Sequence, residues 1–187
     1  MKLRCPYSAA AMSGLAIVAI AGCATGEATP ESVREQPAAA ARPETRPAPP
    51  APSAAEYVAT ASSIDLFEIR SAELALIRAR DERLRDFARM MISAHRGTSA
   101  QLSYAGRRLD LLPRASLLPE HEAMIRELIG APDFDPTYRR QQIAVHESAL
   151  RLHGSFAASG QSPTLRSVAT NVAPVVRHHL ELLRAIR

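Results

Sequence analysis

The chain carries six histidines, and three of them, with one glutamate, stand where chemistry could happen. The closing stretch VAPVVRHHLELLRAI places His179 on an apolar seam traced by Val168, Val172, Val176, Leu183 and Ile186, while His178 falls to one side with Val175 and Leu182. His146 shares a helical face with Ile143, Leu150 and His153. His95 follows Met91 by four residues and precedes Leu102 by seven, and Glu68 stands in the same relation to Ile64 and Ala75. One carboxylate and three imidazoles suit a single transition ion: Zn, Cu, Ni or Fe. A ferritin-type dinuclear centre needs Glu-x-x-His on two helices. The residues three before His95, His146 and His179 are Ile92, Ile143 and Val176, so that motif is absent. A redox enzyme is therefore the weaker reading. No phosphate-binding glycine loop occurs, and no spacing marks a nucleophilic triad. The same four residues also suit a buried Glu–His hydrogen-bond network without metal, which would make the protein a structural or interaction module. Both readings stand at this point.

Placing these residues together takes helices. Low aromatic content, at 4%, and abundant Ala, Leu and Arg suit an all-α protein. Ser53-Ala-Ala-Glu56 reads as a capping box opening the first helix at Ala54, with Tyr57, Ala61, Ile64, Phe67, Ser71 and Leu74 on its inner side. Asp81-Glu82 begins a second helix running to about Leu109, with Leu84, Phe87, Met91, His95, Leu102 and Leu109 inward. Pro119 opens a short helix ending near Gly130. Asp135 is the expected N-cap, and Pro136 the first residue, of a helix running to Ala158. Ser162-Pro163 begins the last helix, which Pro174 should bend just before the histidines. The layout is a ferritin-like four-helix bundle, with tight turns inside each pair and a long crossover between the pairs.

Depth along the rods can be estimated. Glu68 lies about thirteen residues before the first turn and His95 about fourteen after it, which sets them level at about 1.5 Å per residue. His146 lies about twelve residues before the last turn and His179 about sixteen into its helix, a mismatch of roughly one helical turn.

The N-terminal third carries an address. Lys2 and Arg4 precede the short apolar run Ala9 to Ala21, too short for a mature transmembrane helix. Ile20-Ala21-Gly22-Cys23 resembles the bacterial lipobox, so residues 1–22 are expected to be a lipoprotein signal peptide and Cys23 to carry lipid. Cleavage there removes Cys5 and excludes an intrachain disulfide. It also removes Lys2 and Arg4, taking the formal charge from +4 to +2. Charges alternate in sign along the helices, as in RARDERLRDFAR, which is a solvated face and not a nucleic-acid footprint. Ala24 after the cysteine favours the outer membrane. Seven of the thirty residues 24–53 are Pro and eight are Ala. Such a segment cannot offset its ordering entropy and reads as a tether of at most about 90 Å. The organisation expected is a signal peptide over 1–22, lipidated Cys23 with a disordered tether over 23–53, and the bundle over 54–187. The partners expected are a membrane, through the lipid, and an envelope protein. Nucleic acid is not among them.

The segments LFEIRSAELALIRARDERLRDFARMMISAH, FDPTYRRQQIAVHESALRLHGSF and LRSVATNVAPVVRHHLELLRAI, with their spacers, resemble the domain-of-unknown-function 4142 family over roughly residues 55–187. The resemblance implies an exported, outer-membrane protein with a ferritin-like fold. The family pattern of a Glu in the first helix, Asp-His in the second and a His in each of the last two carries over to Glu68, His95, His146 and His179. The departure is Ala94, where the family usually has Asp. The function these readings support is an envelope lipoprotein whose bundle acts as a binding or stress-related module with a place for one transition metal.

Overall fold

The computed structural model describes residues 50–186. The proposed signal peptide, Cys23 and all of the tether before residue 50 lie outside the described residues. Five helices follow: α1 (Ala54–Arg78), α2 (Glu82–Arg107), α3 (Pro119–Gly130), α4 (Phe134–Ser159) and α5 (Pro163–Ala185). Among the described residues there is no strand, and no helix is long and apolar enough to cross a membrane.

The chain is an all-α four-helix bundle. Turns 79–81 and 160–162 fold α1 on α2 and α4 on α5, and the pairs close side by side, with α1 against α4 and α2 against α5. The crossover runs through α3, which lies on α1 and α4. Local chemistry starts the helices. Glu56 N–H donates to Ser53 Oγ at 3.2 Å and Ser53 N–H to Glu56 Oε2 at 2.8 Å, completing the capping box. Asp81 caps α2 by accepting from Arg83 N–H at 2.9 Å, and Ser162 caps α5 by accepting from Leu165 N–H at 3.4 Å. The helical span of α5 continues through the exposed Pro174.

Two local expectations change. α4 begins at Phe134, with Asp133 in the cap position, so Asp135 is not the N-cap. Pro136 is still accommodated because amides in the first turn need no helical partner. The Asp135 carboxylate reaches across the bundle end instead, accepting from Arg80 N–H at 3.1 Å and Asp81 N–H at 2.9 Å. It thereby satisfies the orphan amides where α1 turns into α2. Secondly, α2 stops at Arg107, and Leu109 is 36% exposed. The amides of Leu109 and Leu111 both donate to Gly106 O at 2.9 Å, and Asp110 takes φ 56°, which turns the chain off the helical seam.

Two staples pin the crossover. Arg78 donates to the carbonyls of Leu128, Ile129 and Ala131 at 2.6–2.9 Å and lies 4.9 Å above the Phe134 ring, capping the carbonyl end of α3. Buried Ser63 accepts from Leu118 N–H at 2.8 Å and meets His121 Nδ1 at 2.6 Å.

The interior has two apolar clusters. One holds Tyr57, Ile64, Phe67, Leu102, Phe156, Leu165, Val172 and Val176. The other holds Ala72, Ala75, Leu84, Phe87, Met91, Tyr138 and Leu183. Every long helix crosses from one to the other, and at each crossing it carries polar residues: Glu68 and Ser71 on α1, His95 and Thr98 on α2, Gln142 and His146 on α4, His179 on α5. The bundle therefore contains a buried polar layer between two apolar clusters.

Candidate metal centre

Within that layer three imidazoles meet. His95 from α2, His146 from α4 and His179 from α5 are 3%, 1% and 3% exposed. Their ring centroids are 6.1 Å apart for His95–His146, 5.8 Å for His95–His179 and 5.7 Å for His146–His179. One ligand nitrogen from each lies within 4.8 Å of the others. Nitrogens sharing one ion at about 2.0–2.1 Å would stand about 3.5 Å apart, so this spacing is within reach of a common ion.

The expected mismatch of one turn between His146 and His179 is absent. Side chains lean toward the N-terminus of their own helix. In an antiparallel pair this moves the His146 ring away from the connecting turn and the His179 ring toward it, which closes the gap left by counting residues.

Hydrogen bonding occupies one nitrogen on each of two rings. His146 Nδ1–H donates to Gln142 O at 2.8 Å. His95 Nδ1–H donates to Asp65 Oδ1 at 2.7 Å. The remaining nitrogens, His95 Nε2 and His146 Nε2, are buried without a hydrogen-bond partner among the described residues, as is His179 Nδ1. A buried polar atom left unpaired is costly, and here there is one on each of three converging rings.

Electrostatics make two of the rings neutral. Burial, then the neighbouring His95 charge, pushes His146 down to about 3, against the pull of Gln142 O. Burial, then His95 and His178, pushes His179 down to about 4. Burial works against charge on His95 as well, but Asp65 and Glu68 outweigh it and raise that ring. Two of the three rings are thus held neutral, and the acids beside the third, His95, strengthen its hold on a proton.

Glu68, expected to converge with the rings, is buried at their level but stands beside the triangle. Its Oε1 is 3.4 Å from His146 Nδ1, and burial pushes its carboxyl up to about 7, with His95 opposing. His178 is exposed. His153, on the same face of α4, belongs to a separate pair: its Nδ1 is 3.0 Å from the Tyr57 hydroxyl.

Sequence reasoning did not single out Asp65. It is 6% exposed and also accepts from Thr98 Oγ1 at 2.6 Å and Ser99 Oγ at 3.2 Å. Its place three residues before Glu68, on the same helical face, was the available signal. Ala94 is half-buried, and the carboxylate beside His95 comes from Asp65 on α1 instead of from position 94. His121, held by Ser63, carried no helical-seam signal at all.

His153 gives a test that is independent of metal. Burial, opposed by Asp65 and reinforced by His95, lowers this ring to about 4. At this ring the folded state then binds fewer protons than the unfolded chain between about pH 4 and 6.5, so the ring's contribution to stability falls as pH falls through that window. The contribution lost is about 3 kcal/mol. Urea denaturation across this range should show a shallower pH slope for His153→Leu than for the wild type; equal slopes would contradict the buried neutral ring.

The profile of a family described as "Domain of unknown function (DUF4142)" matches residues 37–186. Among solved structures, CopM in the Cu(II)-bound form superposes with TM-score 0.62 at 16% identity, covering 72% of this chain and 95% of that one. CopM in the Cu(I)-bound form gives 0.60 at 15% identity, covering 71% and 94%. A DUF305 fragment from Deinococcus radiodurans gives 0.63 at 19% identity, covering 74% and 97%. At these identities the likeness is one of fold. No curated protein matches the chain in sequence.

Proposed function

Because this chain belongs to the DUF4142 family, a domain of unknown function, its activity has to be argued from its own residues, and we propose that it is a copper-binding module holding one ion between His95, His146 and His179. The observation that carries this reading is three buried imidazoles between two apolar clusters, with one ligand nitrogen from each within 4.8 Å of the others and one nitrogen on each ring without a hydrogen-bond partner among the described residues. An all-imidazole donor set suits Zn, Cu, Fe and Ni, and copper heads the divalent affinity order for nitrogen sites. The fold shared with CopM, solved with copper in both oxidation states, supports the choice.

The three helices would each give one ligand, and the ion would supply a positive charge within the polar layer. Nothing in the layer positions a substrate, so the role is to bind and hold. The lipobox at Cys23 supports an outer-membrane lipoprotein facing the periplasm, where such a module would sequester or pass on copper to an envelope partner. One copper per chain is expected by elemental analysis after loading and desalting, with weaker retention of Zn and Ni. A chain that retains no metal would sink this reading. It would leave the bonds of His95 to Asp65 and of His146 to Gln142 as a polar layer that only specifies packing.

A further inference from the structure

We infer that Asp65 is the positioning residue of this centre: by accepting from His95 Nδ1–H it leaves Nε2 as the atom that His95 presents to the other two rings. The inference rests on the metal reading above and adds the group that determines which nitrogen coordinates.

A carboxylate can only accept, so the 2.7 Å contact places the proton on Nδ1. In the neutral ring Nε2 is then the electron-pair donor, and it is the atom without a hydrogen-bond partner among the described residues. The carboxylate is itself fixed. Thr98 Oγ1 donates to Oδ1 at 2.6 Å and Ser99 Oγ to Oδ2 at 3.2 Å, so three donors from α2 hold one acid from α1. Asp65 cannot rotate away without stripping the buried Thr98 hydroxyl of that acceptor.

His95 and His146 are held in different ways. His146 is oriented by Gln142 O, a carbonyl four residues back on its own helix, which any helix supplies. His95 is oriented from across a helix interface, by a side chain. α1 thus contributes two acids at this level, Asp65 beside His95 and Glu68 beside His146, each on the Nδ1 side. A carboxylate on the far nitrogen of a ligand histidine fixes its tautomer and strengthens it as a donor. Losing such a partner typically costs about 10–100-fold in metal affinity.

The test uses the full chain and its Asp65→Leu, Asp65→Asn and Asp65→Glu variants, with two readouts. The first is metal-free: ring 15N correlations in alkaline buffer report the His95 tautomer. Nδ1–H is expected in the wild type, with a shift toward Nε2–H in Asp65→Leu. The second is copper affinity by competition, expected to fall about 10–100-fold in Asp65→Leu, less in Asp65→Asn, and to recover partly in Asp65→Glu. Asp65→Asn, the smaller change, carries the test if Asp65→Leu does not fold. Wild-type His95 found as the Nε2–H form, or variants that all bind copper as tightly as the wild type, would overturn the inference. A wild-type chain with the expected tautomer that binds no copper would overturn it through its premise, a result the first readout tells apart.

Discussion

Copper at about 100 times its dissociation constant is expected to raise the unfolding midpoint by about 10 °C, and His146→Ala to erase that rise. Ligand that binds only the folded state at this excess adds about 2.7 kcal/mol, and a bundle of this size gains about 3–5 °C per kcal/mol. In the proposed centre His146 would be one of three ligands, so its removal would leave two imidazoles on separate helices. The affinity loss should exceed the roughly 100-fold upper figure for an outer partner. His146→Leu separates binding from folding. Leucine refills most of the ring's volume and so leaves a smaller cavity than alanine does, so this variant should melt closer to the apoprotein than His146→Ala and not respond to copper. Calorimetric melts with and without the ion decide the matter. An undiminished rise in His146→Ala would place the copper elsewhere.

Phe156→Ala is expected to cost about 3–5 kcal/mol, the range for truncating a buried aromatic. Phe156 is fully buried and stacks on Tyr57 with centroids 4.0 Å apart at 23°. The site is tight: a Cβ added at Gly160 would come within 2.6 Å of the ring. Tyr57 in turn carries the bond to His153, so the truncation loosens the far end of the bundle as well as opening a cavity. Against a typical total of about 5–15 kcal/mol, this single change brings the fold near its limit. Urea unfolding measures it, and a loss below about 1 kcal/mol would contradict the packing of this end.

The sequence by itself determined the helices and the inward faces of most of their residues, because caps and 3.6-residue periodicity act within a few residues of chain. Ser53-Glu56, Asp81 and Ser162 start their helices as read, and His95, His146 and His179 are buried where the apolar seams placed them. Tertiary structure decided everything that depends on a partner from another element. Asp135 left its own cap to close the turn between α1 and α2. Ser63 found His121 across 58 residues, and Asp65 found His95 across 30. Periodicity gives a residue's face but neither its neighbour nor which ring nitrogen keeps its proton. A hydrogen bond needs both partners within about 3 Å, and that distance is set only when the rods pack.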